Sequence, residues 1–563
     1  MPPITSTHNL IDREDARPTL AAARSRSRYT FLFPALAEDP LVGCVTGTTA
    51  RATCDRLRAF EIASRVPLSG MPVVQMKLPA AYTYFGQFVN HDISAPTGDV
   101  VTQHGWTAAA GVIGAVDPPG LDRNRRAKPS IILDNLANEH PEPLTLSSLY
   151  GDGPESADPE IRALYHADGK RFRLGQTRRE ADAVFTNLLI NPARVIHATG
   201  APDIPRAAGV PQLADRRNDE NLILSQLHLA LMLLHNKAVT ALEPQVPDAA
   251  ECFRQARQLV TRHYHWLILN DYLPRLLSTA VTGKPLSRWP TRLTEANRVP
   301  LEFTTAAFRF GHSMVGAAYD FNANFGVNGR ISDTGATLED LFAFTSHGNM
   351  QASLPGSHAL PDHWVIDWKR MTRVLPQPAH GAPRDFGSAE RIDLTFARDM
   401  LNIVGDSTAA VHGSILFRNL MRGFHRRIPF GQRLAGEYGV APLTEDEVRM
   451  ALPDDGLLPP GTRGLRETAE TLGFLRETPA WLYFLCEARA RENGERVGPT
   501  ASHIIADTIV GLIRLNPASY LNLDGGGWHP RESVLGRSSA GGLTTIRKLL
   551  VFAVQDSVPP VGG

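Results

Sequence analysis

Four stretches of the chain carry apolar residues at helical spacing. Residues 219–245 place Leu224, Leu227, Leu231 and Leu234 on one face. Residues 250–276 do the same around Leu259, Trp266 and Leu269 and run into the Pro274 breaker. Residues 478–494 open on Thr478-Pro479, which reads as a capping residue with proline at the first helical position, and 501–515 is amphipathic. Stretches that alternate apolar and polar over strand lengths are scarce. Long Pro/Gly-rich loops such as 113–160 and 352–390 separate the helices. Residues 1–35 read as a polar arm ending at the Tyr29–Phe33 cluster, and 36–563 as one large domain. The pattern predicts a mostly α fold with long ordered loops. Loops of that length are uncommon unless they serve function, and in a large helical protein they often wrap a buried cofactor.

The chain has 563 residues, with 58 Lys+Arg against 58 Asp+Glu. Zero formal net charge gives no electrostatic reason to expect nucleic acid or an acidic membrane surface as partner. No apolar run approaches the ~18 residues of a spanning segment, and the densest, Leu227–Leu234, carries His228. The first residues lack a basic-then-apolar leader, so a cytoplasmic location is expected. Four cysteines exclude a disulfide scaffold, and reduced thiols are the expectation even for the closely spaced Cys44 and Cys54. Oligomeric state is not legible.

Common catalytic signatures fail. Gly311-His-Ser-Met-Val-Gly316 is one residue too long for a nucleophile elbow. The glycines of 536–542 lack a phosphate-binding lysine, and neither C-x-x-C nor H-E-x-x-H occurs. A phosphohydrolase metal site at His91-Asp92 lacks the required upstream histidine on a neighbouring helix. Three segments remain. In Tyr82–Ile93, read as a helix, Gln87 and His91 fall one turn apart among aromatics able to keep an imidazole neutral. In Asp215–Glu220, Arg217 and Glu220 share a face, with Asp219 and Glu220 in the first turn of the leucine-rich helix. In Ala307–Met314, His312 follows Gly311, which lets a flat ligand approach. Taken singly, each of these is equally readable as a core histidine or a capped helix start.

Together, Gly86-Gln-Phe-Val-Asn-His-Asp92, Arg217-Asn-Asp-Glu220, Ala307-Phe-Arg-Phe-Gly-His312 and Arg418-Asn-Leu-Met-Arg422 stand in the order seen in animal-type haem peroxidases. The resemblance to this peroxidase–cyclooxygenase superfamily covers roughly residues 75–515, with Ser147–Gly151, Asn270–Pro274 and Thr478–Tyr483 as weaker matches. It implies a mostly α, single-domain fold around a buried haem b between the 82–93 and 411–425 regions. His312 resembles the proximal iron ligand, Asn419 its hydrogen-bond partner, and Arg309 and Arg422 the propionate contacts. His91 resembles the distal proton-transfer base, Arg217 the group that stabilises charge on the departing oxygen, and Gln87 the residue that orders water or halide.

The implied reaction reduces hydrogen peroxide and oxidises a phenol, halide or other small organic reductant. Two alternatives stay open: oxygenation or oxidative coupling of a fatty acid or biosynthetic intermediate, and a non-catalytic interaction protein. Departures from the family pattern matter. Asn90 cannot form a haem ester whereas Glu220 can, so one covalent link or none is expected, and Asn221 excludes a sulfonium link. The family's calcium loop would join Asp92 to Thr145 and Ser147, which lack carboxylates. A weak calcium site or a hydrogen-bond network in its place is expected. Arg309 occupies the position of the radical tyrosine used by the cyclooxygenase branch, which disfavours oxygenation by that route.

Overall fold

A computed structural model describes residues 27–69, 74–97, 126–140, 143–295, 298–345, 359–373, 386–397, 400, 415–453, 463–523, 527–539 and 541–556. Most of the predicted arm (1–26), much of the 113–160 and 352–390 loops, and residues 411–414 lie outside them. Among the described residues, eight helices of nine residues or more form the body. They are α1 (Ala50–Ser69), α2 (Ala81–Ile93), α3 (Leu222–Leu242), α4 (Ala249–Leu267), α5 (Ile415–His425), α6 (Ala480–Glu492), α7 (Pro499–Leu515) and α8 (Ile546–Val554). The fold is mostly α, as the apolar periodicity predicts.

Helix α3 is apolar on nearly every side, and such a helix belongs inside a large protein. Its most apolar 18-residue window has a mean hydropathy of 1.3 and is 89% buried, so its membrane-like composition reflects a core position in this fold. Helices α2, α4 and α8 pack along it. Asn221 caps its start, with Oδ1 accepting from Leu224 N at 2.9 Å. Arg216–Asp219 form a separate 3-10 turn before it, so Asp219 and Glu220 precede the helix and do not sit in its first turn. Asp219 instead makes a two-pronged pair with Arg206.

Helix α4 runs on through a π-helical turn at Ile268–Tyr272 into Leu273–Leu276. The wide turn carries Tyr272 against α2, where its hydroxyl occupies the space in which a side chain on Gly86 would lie. Pro479 stands at the N-cap of α6, which begins at Ala480. Thr478 does not cap it: its hydroxyl donates to Phe474 O at 2.7 Å.

Strands are short and join distant segments. Strand β1 (Ser27–Thr30) pairs antiparallel with β4 (Ala137–Asn138) and parallel with β5 (Arg298–Pro300), while β3 (Pro96–Thr97) completes the order β3-β4-β1-β5. Strand β2 (Gln75–Pro79), just before α2, pairs with β6 (Ser388–Glu390). The end of the predicted arm is therefore core, since Tyr29, Phe31 and Phe33 are all buried. The reason is the Glu302 carboxylate, which accepts from Leu32 N at 3.0 Å and Phe33 N at 3.2 Å. All four cysteines are free and buried.

Two outcomes follow from this packing. Gly86→Ala drives a methyl into the buried Tyr272 ring and should cost about 1–3 kcal/mol in a denaturant titration, the usual cost of overpacking. Burial pushes the Glu302 carboxyl up to about 7, against the lowering effect of its backbone donors. Its folded pKa exceeds the unfolded one, so the stability it contributes is complete below about pH 4 and is lost as pH rises through 7. The melting temperature of wild type relative to Glu302→Gln should therefore fall between pH 5 and pH 8. The same difference should appear against Glu487→Gln, since burial also pushes the Glu487 carboxyl up to about 7.

Candidate active site

Helix α2 and the 3-10 turn Ala307–His312 face each other across a narrow, partly open cavity. Gln87, Asn90 and His91 line one wall, and Phe308–His312, Met314 and Val315 the other, with Tyr272 at the side. The structure thus brings Gln87, His91, Arg309 and His312 onto one space. A side chain at Gly311 would meet nothing within 4 Å, so the cavity stays open where a flat group must pass.

On the His91 wall each polar group is held from behind. Asn218 Oδ1 lies 3.0 Å from His91 Nδ1. Gln87 Nε2 donates to Glu220 Oε2 at 2.8 Å, and Asn221 Nδ2 donates to Gln87 Oε1 at 3.1 Å, so the Gln87 amide is gripped at both ends. Glu220 Oε2 lies 3.8 Å from His91 Nε2. Asn218 and Asn221 were missed by the sequence reading, although Asn221 stands at a recognisable cap position.

Arg217 differs from its expected place. Among the described residues it is not part of the cavity lining. Its guanidinium donates to both Asp215 oxygens, to Ser94 O at 2.8 Å and to His91 O at 3.0 Å, underneath the end of α2. Burial alone would raise the Asp215 carboxyl, but Arg217 and then His140 override it and hold it well below the usual range. This buried pair fixes the backbone that carries His91, at one remove from the cavity.

On the opposite wall the Asn419 amide lies 3.2 Å from His312 Nδ1, with Arg422 Nη1 donating to Asn419 Oδ1 at 3.3 Å. A metal at Nε2 makes Nδ1 a donor, which calls for the amide oxygen on the ring side; that half-turn of Asn419 would release Arg422 from Oδ1. Arg309 Nε donates to Thr304 O at 2.6 Å, and both arginines are buried. Two imidazoles on one cavity, a gap beside glycine, aromatic walls and two buried guanidinium groups suit a flat iron-binding tetrapyrrole that bears carboxylates.

Asp92 lies on the far face of α2. Its carboxylate accepts from Leu146 N at 3.1 Å, Ser148 N at 3.2 Å and Ser148 Oγ at 3.0 Å. Ser147 Oγ is engaged with His140 Nδ1 at 2.7 Å. Arg257 Nη2 lies 3.5 Å from Thr145 O. Among the described residues, Asp92 is thus surrounded by N–H and O–H donors where a cation would need oxygens. Burial raises the Asp92 carboxyl despite these donors.

The family model described as Animal haem peroxidase matches residues 146–354. Peroxinectin A of Dictyostelium discoideum is 26% identical over 239 residues, which covers 41% of this chain and 38% of that protein. The chain therefore spans well under half the length of that relative. Among solved structures, Peroxidase A from Dictyostelium discoideum superposes with a TM-score of 0.52 at 16% identity, covering 99% of this chain and 98% of the other. A fatty acid alpha-dioxygenase from Oryza sativa superposes with a TM-score of 0.51 at 11% identity, covering 89% and 77%. These likenesses speak to the fold.

With Asp92 satisfied by protein donors, a chelator such as EDTA should leave the melting temperature unchanged. A fall of several degrees, restored by calcium, would show a bound cation. Asp92→Ala, by contrast, strands the loop donors and should cost about 1–3 kcal/mol of unfolding free energy.

Proposed function

Given that this chain belongs to the peroxidase–cyclooxygenase superfamily, we propose that it is a haem-dependent peroxidase. It reduces hydrogen peroxide and oxidises a small phenolic, halide or other organic reductant. The observation that carries this reading is that His91 and His312, over two hundred residues apart in sequence, line one cavity. When bound, haem b supplies an iron centre that coordinates peroxide and takes up its oxidising equivalents. Within this reading His312 holds the iron and Asn419 orients its ring. Arg309 and Arg422 pair with the propionates, and Glu220 is the residue available for a single ester link.

The proton work belongs to His91. With Nδ1 on Asn218, Nε2 is the nitrogen that would accept a proton from peroxide held in the cavity. It then returns that proton to the departing oxygen, which leaves as water. Gln87, gripped by Glu220 and Asn221, keeps one amide hydrogen for an ordered water or a halide. Arg217 supports the step by holding the carbonyl of His91 and Asp215. Tyr82, Tyr84, Phe85 and Phe88 on the same helix are all buried and fix it in the core.

A second reading, oxygenation of a fatty acid or biosynthetic intermediate, is favoured by one feature. Tyr272 lines the same cavity, with its hydroxyl against α2, and is a tyrosine within reach of a substrate held there. Incubation with labelled dioxygen against labelled peroxide separates the two, since only an oxygenase carries dioxygen label into its product.

Titration of the full chain with haem should develop a Soret band. His312→Ala should abolish or grossly shift that band, and an unchanged, active haem protein would overturn the assignment. His91→Leu should retain haem and slow peroxide consumption by about 10²–10⁴-fold, the usual contribution of a positioned base.

A further inference from the structure

One buried titratable group next to the cavity has no part in the mechanism above. His228, on α3, is fully buried, and burial holds its imidazole down to about 4, against the raising influence of Asp215 and Asp219. It is therefore a neutral ring at neutral pH, with one nitrogen protonated and the other a lone pair. Its Nδ1 lies 3.0 Å from Asn218 Nδ2, and the Oδ1 of the same amide lies 3.0 Å from His91 Nδ1. Asn218 itself is fully buried. An amide has one accepting end and one donating end, so its two neighbours cannot choose their protonation independently. If His228 Nδ1 accepts from Asn218 Nδ2, then Asn218 Oδ1 must accept from His91 Nδ1–H.

We propose that His228, acting through Asn218, is a positioning residue that sets the tautomer of His91, keeping the proton on Nδ1 and the lone pair on Nε2. The inference rests on the peroxidase reading for its purpose, because only a base facing the cavity needs its lone pair there. The hydrogen-bond chain itself does not depend on haem. The opposing influence is Glu220, whose Oε2 at 3.8 Å from His91 Nε2 would favour a proton on that nitrogen. Gln87 Nε2 donates to that same oxygen and weakens its pull. The choice of tautomer therefore falls to the Nδ1 side, where the contacts are at hydrogen-bond distance. Phe88 sets its edge against the His228 ring, with centroids 6.1 Å apart, which restrains the orientation in which Nδ1 meets the amide.

The test reads the tautomer directly. Nitrogen-15 spectra of the histidine-labelled full-length chain, taken before haem is added, report which ring nitrogen of His91 is protonated. The His91 signals are assigned by difference from His91→Gln. The expected wild-type result is Nδ1–H, and an Nε2–H form would overturn the proposal. His228→Leu removes the acceptor behind Asn218 and should bring in the Nε2–H form. The pair Asn218→Asp with His228→Leu should restore Nδ1–H, because a carboxylate accepts from His91 whatever stands behind it. A merely structural role for His228 would leave the tautomer unmoved in the single variant, and a change that the double variant does not reverse would mean that Asn218 is not the relay; either result overturns the proposal.

In the haem-loaded protein, His228→Leu should slow the spectral response to peroxide by about 10-fold, the lower end of the range for outer partners of functional histidines. If the tautomer is as expected but haem-loaded wild type ignores peroxide, the peroxidase reading fails and the hydrogen-bond chain stands. If peroxide reacts while His91 carries its proton on Nε2, the reverse holds.

Discussion

The segment Asp215–Asn221, buried but for Arg216, is the constraint on which the site depends. Seven residues between a β-rich connection and the core helix α3 supply almost every polar contact behind the His91 wall. Asp215 neutralises Arg217, whose donors close the backbone at the end of α2. Asn218 holds His91, Asp219 binds Arg206, Glu220 and Asn221 grip Gln87, and Asn221 also caps α3. None of these groups is water-exposed, so each must find its partner within the protein or lose the free energy of a buried, unmet hydrogen bond. The helix that carries the proton-transfer base is thereby fixed to the most buried helix of the fold.

A similar logic shapes the other side of α2. Asp92 collects the N–H groups of a tight loop, and Ser147 and His140 tie that loop to the Arg217–Asp215 pair. The Asp92 carboxylate is surrounded by donors, in a loop whose residues 145 and 147 carry hydroxyls only. The two faces of α2 are thus connected through hydrogen bonds and the Arg217–Asp215 pair, from the cavity at His91 to the Asp92 loop.

Much of the fold was legible from periodicity. The leucine spacing of 222–242 and the amphipathic runs that became α4, α6 and α7 mark long helices because side chains three and four residues apart share a face. Boundaries were less legible. Glu220 and Asp219 looked like first-turn acids, yet pairing with Gln87 and Arg206 draws them into a separate turn. Thr478 looked like a cap, yet its hydroxyl turns back to Phe474. Tyr29–Phe33 looked like the edge of an arm, yet Glu302, nearly three hundred residues away, brings it into the core. In each case a distant partner overrode a correct local preference.

What the sequence alone determined is the set of chemical types and their order: imidazoles at 91 and 312, amides at 87 and 419, arginines at 309 and 422, and the helices on which several of them ride. Those follow from composition, spacing and motif resemblance, which are properties of neighbouring residues. Only the tertiary structure decided which groups meet. It set His91 and His312 on one cavity, turned Arg217 away from it, and assigned Asn218 and His228 to the rear of the base. Hydrogen-bond partnerships between segments far apart in the chain depend on burial and direction, and no local pattern encodes either.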